Sequence, residues 1–403
     1  MKNNITIIDD NLNQNLDNIN QILPDNTYYF YWYPWAAEID ENEIIPFYNR
    51  APFTTVERKV VTRPNSMGIP TINFGSNNNY FAKKISELFN IINPNQLYLD
   101  DNVEDKNLLE KDRKIKENLY RLSKEKNIKI YQAQPYSDTK IQDIYTDSCK
   151  KSLELNDKRN LSKWIPQENL LEQRTTPFDE YPYVAKLSRS SAGDATAIIR
   201  NKNDQNKFIQ DFGKYFDSIP PIYEEYCDGV EYGLEIAIDY KWNPKMLVLV
   251  KSAVDENNSY IWWLLYADQK ISNDIKNLTK NIMDVLIKKW RYGRWWLDIK
   301  YGKDGKRKVI DPNMRITQIM PAAREYGIKA QKNNMIYGSA VIENTYNSTL
   351  ISISKDIKSD LIKVFWYTEY KGKIYCDLGI YFDEEETKNE NIEYIRKKWI
   401  SLK

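Results

Sequence analysis

Residues 296–315 decide the reading: Trp296-Leu297-Asp298-Ile299-Lys300, a turn at Gly302-Lys303-Asp304-Gly305, and then Val309-Ile310-Asp311-Pro312-Asn313-Met314-Arg315. Asp-Gly between two β-prone runs is a strong hairpin signal, so Trp295–Tyr301 and Lys308–Ile310 are predicted to pair. That pairing puts Asp298 and Asp311 side by side on adjacent strands. Asn313 lies two residues beyond Asp311 and faces the same way if the chain stays extended. Two carboxylates and an amide oxygen on one face form a good donor set for a hard cation. Two unpaired aspartates there would repel each other, so a divalent ion or a cationic partner is expected. A salt-bridged surface hairpin is the competing reading.

Three upstream segments gain meaning from this one. Asn156-Asp157-Lys158 precedes Pro166 by eight residues; a lone lysine there is by itself an ordinary surface charge. Val184-Ala185-Lys186 reads as a strand leading into the small-residue loop Ser188-Arg189-Ser190-Ser191-Ala192-Gly193-Asp194. A strand lysine followed by such a loop can bring an ammonium and backbone N–H groups to phosphates, and Gly193 permits close approach. An ordinary hairpin is the alternative. Ile222 to Tyr232, with Glu224, Glu225, Cys227 and Glu231, gives an extended segment whose backbone donors and acceptors match the edge of a purine. An acidic connector is its plainer reading.

Composition narrows the chemistry. The 403 residues contain no histidine, which removes His-based nucleophilic triads, His general bases and His-ligated zinc. Cys149, Cys227 and Cys376 are isolated, without metal-type or disulfide spacing. Lys plus Arg is 58 against 57 for Asp plus Glu, so no charge excess argues for nucleic acid. No apolar run approaches membrane-span length. A cytoplasmic, soluble protein without membrane partners is the expectation. What is left for chemistry is Lys, Arg, Asp, Glu, Asn and backbone amides, an inventory suited to Mg-nucleotide work.

Elsewhere the pattern alternates strand and helix. Strands are expected at Glu57–Thr62, Ile69–Phe74 and Ile128–Tyr131, and helices at Tyr80–Asn90 and Leu108–Lys124. The aromatic run Thr27–Trp35 reads as core or as a substrate-facing wall. A helical pattern spans Ile144–Trp164. Another covers Asp204–Ile219, with Phe208, Phe212, Tyr215 and Phe216 on one face. Ile271–Trp290 is the strongest helix. Strands fill 221–266, and a hairpin at Val364–Tyr381 precedes a last helix from Asn391 to Ile400.

The ordered set of Asn-Asp-Lys, strand Lys with small-residue loop, Glu-Glu hinge with Gly-x-Glu, and Asp followed by Asp-Pro-Asn-x-Arg resembles the ATP-grasp superfamily over residues 150–330. The resemblance implies an α/β fold of α+β lobes preceded by a pre-ATP-grasp α/β domain. Its divisions would be 1–140, 141–235 for the small lobe, and 236–403 for the large lobe with the metal site. It implies Mg2+ (or Mn2+) and ATP, with Lys158, Lys186 and the Ser190, Ser191 and Gly193 loop on phosphates. Glu224 would sit at the adenine hinge, with backbone atoms of Glu225 and Cys227 on the base and Glu231 on the ribose. Asp298, Asp311 and Asn313 would hold the metal, Arg315 would meet an oxyanion, and Lys251 is a further phosphate candidate.

The activity implied is a carboxylate–amine ligase acting through an acyl phosphate on small-molecule carboxylate and amine substrates. A peptide or carrier protein is a further substrate class, and a homodimer is expected from proteins of this kind. A small-molecule kinase of the same fold and a non-catalytic nucleotide-binding regulator are the alternatives. The chain departs from the family in having Asp311 where Glu is usual, and in a loop with one glycine and Asp194. Trp32, Trp35, Arg63 and Arg324 are loose candidates for the substrate end.

Overall fold

The computed structural model describes residues 23–30, 70–74, 96–99, 108–132, 142–146, 154–155, 157–188, 195–217, 219–229, 231–254, 260–265, 271–302, 304–313, 334–342, 355–359, 361–370, 373–398 and 401–402. The expected elements at 57–62 and 80–90 lie outside them. So do Trp32, Trp35, Arg63, Ser190, Ser191, Gly193, Arg315 and Arg324.

The first sheet holds β1 (Thr27–Phe30), β2 (Thr71–Phe74), β3 (Gln96–Leu99) and β4 (Lys129–Gln132), all parallel, in the order β3-β2-β1-β4. Parallel pairing needs crossovers, and α1 (Leu108–Lys126) supplies one between β3 and β4. Its Ile115 and Leu119, one helical turn apart, pack on Phe30, Ile72, Leu99 and Ile130. Within the aromatic run, Tyr29 and Phe30 are buried on β1, as the core reading expects.

The second sheet is small and antiparallel: β5 (Gln173–Arg174), β6 (Tyr183–Leu187), β7 (Thr196–Ile199) and β8 (Pro221–Glu225), in the order β5-β8-β6-β7. Helix α2 (Lys202–Phe212) covers it with Phe208 and Phe212. The side chain of Asn201 caps this helix, accepting from Asn203 N and Asp204 N. The expected helix over 204–219 instead stops at Gly213 and tightens into a 3-10 turn at Gly213–Tyr215.

The large sheet contains β9 (Tyr232–Ile238), β10 (Pro244–Val254), β11 (Tyr260–Leu265), β12 (Gly293–Tyr301), β13 (Arg307–Asn313), β14 (Asn334–Ile342), β15 (Ile362–Tyr370) and β16 (Lys373–Phe382), ordered β13-β12-β9-β10-β11-β14-β16-β15. A short β17 (Ser401–Leu402) pairs with β14, after α4 (Glu385–Lys398). Helix α3 (Asn273–Lys288) buries Ile275, Leu278, Ile282, Met283 and Leu286 against Leu234, Ile236, Trp295, Leu297 and Ile299. One face of β9 and β12 is thereby committed to the core. The residues alternating with these face the other way.

Of the helix expected over 144–164, residues 147–153 and 156 lie outside the described residues, Glu154 and Leu155 are helical, and the two ends are not part of one α-helix. The segment holds a 3-10 turn at Gln142–Ile144, a bridge from Tyr145 to Ile130, and a 3-10 turn at Lys158–Lys163. Tertiary hydrogen bonds override the helical spacing: Lys158 N donates to Ser188 O at the end of β6. The Asp157 carboxylate caps the turn by accepting from Arg159 N.

Candidate nucleotide and metal site

The turn between β12 and β13 works as its residues suggest, with Gly305 at φ +73°. Asp298 is the register partner of Asp311, and Trp296 that of Asn313. Past this point the register slips, with Ile299 opposite Val309, so Ile310 is an extra residue on β13. Such a bulge releases a carbonyl from the ladder. Lys186 Nζ, reaching across from β6, donates to Ile310 O at 2.9 Å.

Lys158, from the 3-10 turn Lys158–Lys163, and Lys186, from β6, meet the end of β13 here. Lys158 Nζ lies 2.9 Å from Asp311 Oδ1. Lys186 Nζ lies 2.6 Å from Glu224 Oε2, and Gln173 Nε2 donates to the other oxygen of Glu224 at 3.0 Å. Both lysines are buried. Burial holds the Lys158 ammonium below its ordinary pKa; Asp311 opposes this and the nearby Lys186 adds to it. A pair of cations this close is a receptacle for a polyanion.

The carboxylates are under the opposite strain. Burial, then Glu231, then Asp311 push the Asp298 carboxyl well above the usual range. Trp296 Nε1, 2.6 Å from Oδ1, and then the Lys158 ammonium offset this in part, and Asn313 Nδ2 donates to Oδ2 at 3.3 Å. Glu231 is also raised, by burial first, with Lys300 pulling it back and Asp311 adding to the rise. A divalent cation fits this arrangement because it removes the repulsion that burial amplifies. Turning the Asn313 amide over presents its oxygen to the same point. Among the described residues no set of three His, Cys, Asp or Glu side chains forms a complete cage. The donor set is two carboxylates and an amide, leaving further positions to ligand oxygens or water.

Of the sequence-predicted residues, the structure brings together Lys158, Lys186, Glu224, Glu231, Asp298, Asp311 and Asn313. Glu224 faces Lys186 rather than an open hinge, and Glu225 N already donates to Glu172 O at 3.0 Å. Cys227 follows β8 and is buried, outside any disulfide. Lys251 is not brought in. It pairs with Tyr232 and Leu264, while its neighbour Ser252 shares the site face with Trp263 and Trp296. Alternation turns Lys251 toward the side covered by α3.

The site also holds residues that sequence reasoning missed. Gln173 orients Glu224, Trp296 orients Asp298, and Lys300 approaches Glu231. Trp296 and Lys300 carried a signal, since each is two residues from Asp298 on the same strand. Gly233, opposite Asp298, leaves the space that the Trp296 indole fills; a Cβ there would overlap the ring.

No protein-family model matches the chain, and no curated protein sequence is significantly similar to it. Solved structures are similar over 92–94% of its length. An L-amino acid ligase from Bacillus licheniformis superposes with a TM-score of 0.56 at 11% identity, covering 94% of this chain and 99% of the ligase. Biotin carboxylase from Campylobacter jejuni, solved as a β,γ-ATP complex, gives 0.55 at 10% identity over 93% and 92% of the two chains. Carboxyaminoimidazole ribonucleotide synthase from Aspergillus clavatus, solved with ATP, gives 0.54 at 11% identity over 92% and 98%. No helix among the described residues is long and apolar enough to cross a membrane. The lobes, their order and the coverage make the architecture of this chain the ATP-grasp fold.

Proposed function

We propose that the chain is a Mg-dependent ligase that spends ATP to activate a substrate carboxylate and joins it to an amine. One observation carries the reading: Lys158 and Lys186 of the small lobe converge on the strands bearing Asp298, Asp311 and Asn313. Cations for phosphate and oxygen donors for a metal stand within one ion pair of each other. The structural neighbours support it, since they include an L-amino acid ligase, a biotin carboxylase solved with β,γ-ATP, a biotin carboxylase domain solved with MgADP and bicarbonate, and a synthase solved with ATP.

When bound, Mg2+ would be held by Asp298, Asp311 and Asn313 and would neutralise phosphate charge. The protein's own part is electrostatic. Lys158 and Lys186 offset negative charge on the transferring phosphoryl group from fixed, buried positions. Trp296 and Asn313 hold Asp298 in place, and Gln173 holds Glu224 so that Lys186 stays aimed at the cleft. The substrate carboxylate takes the γ-phosphoryl group of ATP, ADP leaves, and an amine displaces phosphate from the acyl phosphate. Arg315, two residues beyond Asn313, is proposed for the substrate oxyanion, and the Ser190, Ser191 and Gly193 loop for the phosphates. The division at residues 140 and 235 and a homodimeric, cytoplasmic protein belong to the same proposal.

The test is coupled release of ADP and phosphate with Mg-ATP and a pool of amino acids, small carboxylates and amines, with products followed by mass spectrometry. A ligase gives equimolar free phosphate and a condensed product, and Lys186→Ala and Asp298→Asn abolish both. A phosphorylated substrate without free phosphate would establish a kinase instead. Wild-type ADP formation by both variants would refute the site.

A further inference from the structure

Arg294 on β12 and Glu235 on β9 share one face of the large sheet. Glu235 is the register partner of Trp296, which makes it the diagonal neighbour of Arg294. Both side chains are fully buried. A guanidinium and a carboxylate frequently meet through two parallel bonds, one to each oxygen. Here Nε and Nη2 of Arg294 both donate to Oε1 of Glu235. Nη1 of Arg294 and Oε2 of Glu235 are left buried and without a partner.

A third such atom comes from the first sheet. Tyr29 on β1 is 2% exposed, and its hydroxyl makes no hydrogen bond. Its ring lies 4.9 Å from that of Tyr131 on β4. The Tyr131 hydroxyl abuts Gly293, where a Cβ would come within 2.5 Å of it, and Gly293 immediately precedes Arg294. Burial raises the Tyr29 phenol most; after it, Arg294 lowers the phenol and Glu235 raises it, so both charges act on this hydroxyl.

The three atoms are a donor, an acceptor and a hydroxyl that can serve as either. They are complementary, yet no direct hydrogen bond joins any two of them. Left bare, each would carry its full desolvation penalty. Complementary groups that approach without touching suit a bridging molecule. Charge selects that molecule. The guanidinium and the carboxylate compensate each other, so an anion would be repelled by Glu235 and a cation by Arg294. A water accepts from Nη1, donates to Oε2 and makes one further bond with the Tyr29 hydroxyl, about three hydrogen bonds in all, the usual number for an internal water. We propose that Tyr29, Arg294 and Glu235 form an internal water-binding site that ties the first sheet to the large sheet. Arg294 precedes Asp298 by four residues on the same face of β12, so the tie anchors the strand that carries this carboxylate. The proposal stands independently of the nucleotide reading.

The test is the sign of one substitution. With water in place the Tyr29 hydroxyl is a satisfied partner, and Tyr29→Phe should raise the unfolding constant in urea denaturation by about 3- to 10-fold, the worth of one hydrogen bond. A bare hydroxyl predicts the opposite, because its removal relieves a desolvation cost. In an Arg294→Met/Glu235→Leu background the water loses two of its three anchors, so Tyr29→Phe should no longer destabilise. Stabilisation of the wild type by Tyr29→Phe, or the same loss in both backgrounds, overturns the proposal. Should the double variant fail to fold, a crystal structure of the wild type that resolves ordered water decides. A water within hydrogen-bonding distance of Tyr29 Oη, Arg294 Nη1 and Glu235 Oε2 is expected, and a direct bond among the three or a dry site overturns the proposal.

Discussion

Replacing Lys158 with Met should strengthen metal binding and weaken nucleotide binding in the same protein. The ammonium of Lys158 sits 2.9 Å from Asp311 Oδ1, so a cation arriving at Asp311 must displace it. A charge-assisted contact of this kind is worth about 1.5–3 kcal/mol, or roughly 10- to 100-fold in affinity. The Asp311 side chain keeps 28% of its exposure, which favours the lower end, about tenfold. Mn2+ alone, titrated by calorimetry in the absence of nucleotide, should therefore bind Lys158→Met about tenfold more tightly than wild type. ADP with saturating Mg2+ should bind the variant about tenfold more weakly, because a phosphate contact is gone. A thermal melt with and without Mn2+ confirms that the variant is folded. Unchanged or weaker Mn2+ binding would refute the competition between Lys158 and metal. Parallel loss of both ligands would show that the substitution had simply damaged the cleft.

Further predictions concern the charges and packing around the same strands. The Asp298 carboxyl is held well above its ordinary 3.8, so the folded state binds its proton more tightly than the unfolded chain. Its contribution is favourable below the ordinary value and is lost as pH rises through the raised one. Without metal, Asp298→Asn should thus melt higher than wild type at neutral pH and close to it at pH 4, and a variant melting lower at both would contradict this. Arg294 and Glu235 are paired in full burial, so Arg294→Met should cost about 3–5 kcal/mol in urea denaturation, and adding Glu235→Leu should restore most of it. A single-variant loss under about 1 kcal/mol would show the pair to be dispensable. Gly233→Ala pushes on the Trp296 ring that orients Asp298, so it should cost about 1–3 kcal/mol and abolish Mn2+-induced stabilisation; retention of full Mn2+ stabilisation would separate the ring from the site.

What could be read in the sequence followed from local geometry. The pairing of Asp298 with Asp311 needs only a two-residue period and an Asp-Gly turn, and both are visible in the chain. The core helix α3 is equally visible, because Ile275, Leu278, Ile282 and Leu286 repeat at helical spacing. Features set by long-range register were not legible. Lys186 meets Glu224 because β6 runs beside β8 with Val184 opposite Glu224, which places the two side chains diagonally on one face. Lys251 turns away because of the register of β10, which slips between Met246 and Val248, and nothing in the residues there announces a bulge. The 144–164 segment has helical spacing, yet Lys158 N is claimed by Ser188 O from a strand whose position the local sequence does not encode.

These register effects give the site its logic. Alternation along β12 sends Leu297 and Ile299 into the core and leaves Arg294, Trp296, Asp298 and Lys300 on the opposite face. That face would be an unstable row of buried charges if it stood alone. Lys158, from a 3-10 turn, seats on Asp311, and Lys186, from the small sheet, on the bulged Ile310 carbonyl, so Lys158 offsets one of the carboxylates from across the cleft. A bound Mg-nucleotide has the same two parts in mirror order, its phosphates facing the lysines and its cation facing the aspartates. Exchange of one set of ion pairs for the other keeps every charge compensated, and Lys158 is the residue at which the exchange can be measured.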